Sequence, residues 1–144
     1  TFDLNGDSTN YKVEQLDDSI CEFPRLDERF SGLTYRHGYI ACAGDQPPKS
    51  GGYSALGHID HQTGKISKYD MGENLATSEP VFVPAKIDSP EGQGYLLSVV
   101  YDITKDKSHL IILDAENISD GPIGRAYLDH RVPFGFHGNW KSAH

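Results

Sequence analysis

The feature that most constrains this chain is the regular punctuation of its apolar runs by turn-forming residues. Runs at 33–43, 53–59, 66–69, 79–84, 94–102, 109–114 and 123–128 are rich in Tyr, Val, Ile and Leu, residues that suit a pleated, half-buried surface. Between them stand Asp45-Gln46-Pro47-Pro48, Thr63-Gly64-Lys65, Ser89-Pro90-Glu91-Gly92, Thr104-Lys105-Asp106 and Asp120-Gly121-Pro122, which reverse a chain. This spacing predicts an all-β antiparallel meander, either a sandwich or propeller blades. Helix is expected nowhere beyond one turn at 115–118. Leu96-Leu97-Ser98-Val99-Val100 and Leu110-Ile111-Ile112-Leu113 are apolar on both faces, as in strands covered on each side by neighbouring sheets, which favours stacked blades. The segment 45–52, with its paired prolines and glycines, is the longest expected loop.

Composition narrows the function classes. A chain of 144 residues suits one domain over 1–144 and would bury roughly 70% of its unfolded surface. A mean hydropathy of -0.52, with no run near the ~20 apolar residues that span a bilayer, predicts no transmembrane segment. Thirteen Lys+Arg against 21 Asp+Glu give a charge of -8, and no basic stripe offers counterion release from a phosphate backbone. Nucleic acid is therefore not an expected partner. Cys21 and Cys42 are the only cysteines and lack the spacing of a zinc site, so they are expected to be reduced and structural, in a cytoplasmic setting. The chain begins Thr1-Phe2-Asp3, without a methionine or a signal peptide, and is expected to be a piece of a longer polypeptide.

Seven histidines raise the question of a metal. In His58-Ile59-Asp60-His61, a strand would point the two rings to opposite faces, which argues against joint ligation. His37, in an alternating run, is expected to be hydrogen-bonded and structural, and His109, after a charged turn, is expected at the surface. His130 fits either environment. Asp3-Leu4-Asn5-Gly6-Asp7 with Glu14 mimics part of a calcium loop but has Ser8 where that loop needs its turn glycine, and reads as a solvated turn. No GxSxG elbow and no glycine-rich phosphate loop is present.

The sharpest signal is Pro133-Phe134-Gly135-Phe136-His137-Gly138-Asn139-Trp140. Glycines on either side of a histidine let the backbone pass close to another group, and the aromatics can wall it. The segment reads either as a ligand presented in an apolar cavity or as a histidine packed near a tryptophan. Glu22, in Cys21-Glu22-Phe23-Pro24, and Glu79, in Ser78-Glu79-Pro80-Val81-Phe82-Val83-Pro84, stand in apolar surroundings. A buried carboxylate needs a partner, and the N–H of a metal-bound imidazole is a common one. The alternative is a glutamate at a strand end facing solvent.

At these residues the sequence resembles the carotenoid cleavage oxygenase family, which includes lignostilbene dioxygenases and apocarotenoid oxygenases. The resemblance runs through Glu22-Phe23-Pro24-Arg25-Leu26-Asp27, Tyr35-Arg36-His37-Gly38-Tyr39, Ser78-Glu79-Pro80-Val81-Phe82-Val83-Pro84, Glu91-Gly92-Gln93-Gly94-Tyr95-Leu96-Leu97, Leu110-Ile111-Ile112-Leu113-Asp114-Ala115 and the His130–Trp140 stretch. The family's acidic pair before the Gly-Tyr strand is altered to Glu91-Gly92-Gln93, which reads as turn variation. The Tyr-Arg-His-Gly and Gly-Asn-Trp wording leans toward the lignostilbene-like branch.

The resemblance implies the C-terminal blades of a seven-bladed β-propeller with Fe(II) on its axis, held by four histidines, some oriented by glutamates. It implies that O2 and an apolar conjugated alkene react to give two carbonyl products. Carried over by residue, His137 looks like one iron ligand, Glu79 and Glu22 like two of the orienting glutamates, and Phe134 and Phe136 like walls of the substrate pocket. The other ligands are expected on the remaining blades of the same polypeptide, and this chain alone is expected to be inactive. Phe136 and His137 are expected at the inner end of a strand. Since blades adjacent in sequence are adjacent around the axis, Glu79 is expected to orient His137, and Glu22 a histidine outside this chain. A family isomerase, and a non-catalytic propeller segment serving as an interaction scaffold, are the competing readings; the scaffold predicts no convergence of His137 with Glu79.

Overall fold

The structure, a computed structural model, describes residues 11–142. Its strands are β1 (Cys21–Leu26), β2 (His37–Cys42), β3 (Ala55–Asp60), β4 (Lys65–Asp70), β5 (Leu75–Thr77), β6 (Val81–Pro84), β7 (Gly94–Asp102), β8 (Lys107–Asp114) and β9 (Pro122–Tyr127). They form two antiparallel sheets in chain order, β1-β2-β3-β4 and β5-β7-β8-β9, with β6 also pairing β7. Each is a meander of the kind that builds one propeller blade. Among the described residues the helical content is two short 3-10 turns, Glu28–Phe30 and Ile118–Asp120; the single turn expected at 115–118 is displaced to the second of these. The acidic segment 3–7 lies outside the described residues.

The core lies between the sheets. On the second sheet, Leu96, Ser98 and Val100 of β7 stand opposite Leu113, Ile111 and His109 of β8, and alternation puts this set on one face. Leu96, Val100, Ile111 and Leu113, with Phe82 from β6, meet Tyr39, Ala41 and Leu56 from the first sheet. Ala115 and Ile118 close the cluster. The opposite face of the second sheet carries Leu97, Val99, Tyr101 and Leu110, and does not join this core. It lines the cavity described below.

A turn of the second sheet also caps the first. Oε1 of Glu91 accepts the backbone N–H groups of Arg36 (2.7 Å) and His37 (2.9 Å). The next residue, Gly92, has φ +81 and lies so close to the His37 ring that a Cβ would come within 2.7 Å of it. The altered acidic pair is thus a device that joins the sheets. His37 is buried, as a structural histidine should be, with Nδ1 2.8 Å from Nε2 of His58. His58 stacks on Tyr39, whereas His61 packs edge-on against Tyr35, so the two rings of the HxxH sequence do part. His109 corrects the expectation of a surface residue: it is buried, sharing the core face with Ile111 and Leu113 and touching the Tyr127 ring. His130 is exposed beside Asp129. Both cysteines are free and stand opposite each other on β1 and β2, with Cys42 buried. Burial pushes the Cys42 thiol up to about 11.

Candidate functional site

The two glutamate motifs owe their geometry to one-residue bulges. On the inner strand of the second sheet, Thr77 pairs with Val100 but Val81 with Leu97, so the segment 78–80 holds one residue more than the β7 stretch opposite. A bulge re-aims side chains and tolerates proline, which has no N–H for the ladder, and Pro80 is the residue after Glu79. Ser78 holds the bulge: its N–H donates to Val99 O (2.9 Å) and its Oγ accepts from Val99 N (3.0 Å). Glu79 is thereby turned inward and buried.

β1 has the same irregularity, with Glu22 opposite Ala41 but Arg25 opposite Tyr39. Between them Phe23 adopts φ 56, a left-handed conformation that is an outlier for a bulky side chain and is concentrated at functional sites. The Phe23 ring meets the His137 ring edge-on at 6.0 Å and the Tyr53 ring at 6.4 Å. Glu22 is left exposed, accepting from Tyr53 Oη at 3.2 Å.

Around Glu79 the polar contacts converge. Oε1 lies 3.1 Å from His137 Nδ1. Oε2 accepts from Gly138 N and from Arg25 Nη1, each at 2.9 Å. Arg25 Nη1 also donates to Gly138 O at 2.9 Å, and Nη2 reaches Glu28 and Asn139. When the imidazole is neutral, a proton on Nδ1 donated to the carboxylate leaves the lone pair on Nε2. Among the described residues no hydrogen bond occupies Nε2, and the His137 side chain is 76% exposed. Such a nitrogen can ligate a metal or accept a proton.

His137 and Glu79 lie at the edge of a cavity of about 700 Å³. Its floor is the second sheet's free face, with Val81, Leu97, Val99, Tyr101 and Leu110; its rim includes Phe23, Tyr53 and the segment 132–140. Among the described residues no group of three or more His, Cys, Asp or Glu could hold a metal ion. The donor set fits a metal only in part: this chain offers one oriented imidazole, and further ligands must come from elsewhere.

The chain matches the model of the RPE65 (retinal pigment epithelial membrane protein) family over residues 1–142. It belongs to that family, the carotenoid oxygenases. Lignostilbene-alpha,beta-dioxygenase isozyme III of Sphingomonas paucimobilis is 40% identical, over 99% of this chain and 31% of the relative. Isoeugenol monooxygenase of Pseudomonas putida is 35% identical, over 98% and 31%. The crystal structure of Pseudomonas brassicacearum lignostilbene dioxygenase superposes with a TM-score of 0.90 at 29% identity, covering 99% of this chain and 31% of that one. The chain therefore spans about a third of the length of the relatives it matches. The carotenoid oxygenases are β-propellers, and the two meanders are blades of that fold.

Within this family frame, the structure places the expected site residues unequally. Glu79 and His137 come together. Glu22 touches neither, and reaches their neighbourhood only through Tyr53 and Phe23. Phe134 and Phe136 line the cavity but are 54% and 79% exposed; Phe134 packs edge-on to Tyr101, and Arg131 lies over both rings. His137 is not at a strand end: after β9 the chain runs on without regular structure to 142. Pro133, Gly135 and Gly138 favour an extended excursion there over a ladder. The aromatic that meets His137 is Phe23, far away in sequence. Arg25 was not singled out by the sequence at all; the partners that tie it to the site, Glu79 and Gly138, are 54 and 113 residues away, and only the adjacency of Arg25 to a Phe-Pro bulge could have signalled it.

Proposed function

We propose that this chain is part of a non-haem Fe(II) oxygenase that cleaves the C=C bond of a stilbene-type or apocarotenoid substrate with O2, giving two carbonyl products. The observation that carries the reading is the contact between buried Glu79 and Nδ1 of the exposed His137 at the mouth of an apolar cavity. A scaffold segment has no use for that arrangement, which is how proteins orient an imidazole that binds metal through its other nitrogen. The relatives, a lignostilbene dioxygenase and an isoeugenol monooxygenase, support an aromatic alkene in preference to a long polyene.

In this reading His137 Nε2 is one of the iron's neutral ligands, and the remaining ligands lie on blades supplied by the rest of the polypeptide. Fe(II) held by imidazoles alone keeps its positive charge and open positions for O2. Glu79 fixes the His137 tautomer and raises the basicity of Nε2. Phe23, Phe134 and the cavity floor present an apolar surface to the alkene. Glu22, held by Tyr53, is assigned to a ligand histidine outside this chain.

The test uses the full-length protein loaded with Fe(II) and offered a hydroxystilbene, a phenylpropene and an apocarotenoid under air. Chromatography should show two aldehydes from the hydroxystilbene, with loss of both turnover and bound iron in His137→Ala. Iron-loaded protein that cleaves none of the three, or iron retained in His137→Ala, overturns the reading.

A further inference from the structure

We propose that Arg25 is a positioning residue, holding Glu79 and the peptide after His137 in the geometry that a metal-binding imidazole requires. The inference rests on the reading of His137 as an iron ligand and assigns a role to a residue on the other blade.

Three chain segments meet at the Arg25 guanidinium. From β1 it donates through Nη1 to Glu79 Oε2 in the bulge between β5 and β6, and to Gly138 O in the segment after β9, each at 2.9 Å. Nη2 is turned to Glu28, with Asn139 Oδ1 at 3.4 Å. The side chains of Arg25 and Glu79 are 14% and 5% exposed, and among the described residues Arg25 is the one Lys or Arg in an ion pair with Glu79. The carboxylate is thus divided, one oxygen for His137 Nδ1 and the other for Arg25 and Gly138 N. Gly138 is held through both of its flanking peptides, its N–H by Glu79 and its C=O by Arg25. The ring orientation of His137 and the position of its backbone therefore depend on the same cation.

The planar fork is what this needs. A guanidinium reaches several acceptors in fixed directions, whereas an ammonium is a point charge on a flexible stem. The bulge at Phe23-Pro24 is also required, because without the extra residue Arg25 would project from the other face of β1. The left-handed backbone of Phe23 is then part of the device that delivers Arg25 to the site, as well as the one that sets the Phe23 ring against His137. A residue that merely stapled the blades would affect unfolding and leave the metal's surroundings alone.

The experiment uses the full-length protein, with Fe(II) under anaerobic conditions and Co(II) as spectroscopic probe, on wild type, Arg25→Gln, Arg25→Lys, Glu79→Gln, His137→Ala and the Arg25→Gln/Glu79→Gln pair. Arg25→Gln is expected to weaken Fe(II) binding ~10–100-fold, the usual loss when a group that orients a ligand is removed, and to shift the visible Co(II) spectrum. Arg25→Lys should show a smaller loss in the same direction at an unchanged denaturation midpoint. The double variant should bind no more weakly than Glu79→Gln alone, since both changes break one unit. Wild-type affinity and spectrum in both Arg25 variants, or additive losses in the pair, overturn the role of Arg25 while leaving the iron reading intact. If Arg25→Gln does not fold, Arg25→Lys decides on the same criteria. Wild type that retains no Fe(II), or His137→Ala that retains it, overturns the iron reading and this role with it.

Discussion

The carboxylate of Glu79, on a side chain 5% exposed, lies 3.1 Å from Nδ1 of His137, whose side chain is 76% exposed. The buried partner is the anchor and the open one the working group, so removing the anchor should disturb His137 without emptying its place. A glutamine at 79 can turn its amide N–H toward Nδ1 and drive the ring proton to Nε2, the nitrogen needed as a donor. In the full-length protein Glu79→Gln should lower Fe(II) affinity ~10–100-fold, measured by competition with a chelator. His137→Ala should abolish retention.

Glu22 should behave independently of His137. Its contact is Tyr53 Oη at 3.2 Å, and Phe23 stands between Tyr53 and His137. A double-mutant cycle of Glu22→Gln with Glu79→Gln, which unlike His137→Ala leaves an iron affinity to measure, should show additive losses. Tyr53→Phe should reproduce part of the Glu22→Gln loss by releasing the carboxylate. Strong coupling between Glu22 and Glu79, the partner of His137, would place both on one ligand and overturn the blade assignment.

The difference between the two glutamates marks where sequence reading stopped. Strand β7 was legible to the residue at 94–102, because a long apolar run between two turns admits few alternatives. β1 was not, since Cys-Glu-Phe-Pro-Arg-Leu carries a proline and a bulge that break any period of two. The motif resemblance placed Glu22 and Glu79 in equal standing, yet a one-residue slip moves a side chain to the opposite face. Glu79 lies inside its bulge and is buried, whereas Glu22 stands just before its own and is exposed, held by Tyr53. The burial of His109 could have been read from alternation with Ile111 and Leu113, had the charged turn at 104–107 not outweighed it. Arg25 was illegible for a different reason: beyond its local pair with Glu28, the partners that give it meaning are on the other sheet and the C-terminal segment.

The chain on its own should self-associate. Among the described residues Val13, Leu16, Ile20, Ile87, Ile123, Tyr127 and Phe136 are all more than half exposed, and β1, β4 and β9 are sheet edges. A closed ring protects faces and edges that two blades leave open. Sedimentation at micromolar concentration should show oligomers that shrink with dilution. A monomer that unfolds cooperatively in calorimetry would show instead that two blades suffice.

Stability should fall on mild acidification because of the buried His37–His58 pair. Burial first, and the neighbouring His37 second, push His58 down from 6.5 to about 4. The sign follows from proton counts: between those values the unfolded chain binds a proton at His58 that the folded chain excludes, so acid favours unfolding. The stabilisation is complete above pH 6.5 and is lost progressively as pH falls toward 4. At about 1.4 kcal/mol per pKa unit the full loss is of order 3 kcal/mol. His109, also lowered by burial, adds to the slope in the same direction. Asp60, held well below the usual carboxylate range by the Arg36 guanidinium, stays ionised throughout and contributes below this window. Urea midpoints of the full-length protein between pH 7.5 and 5 should therefore decline, and His58→Gln, which keeps a hydrogen-bonding group beside His37 but cannot titrate, should flatten the decline. An unchanged slope in His58→Gln would assign the acid sensitivity to His109 or to groups outside these blades.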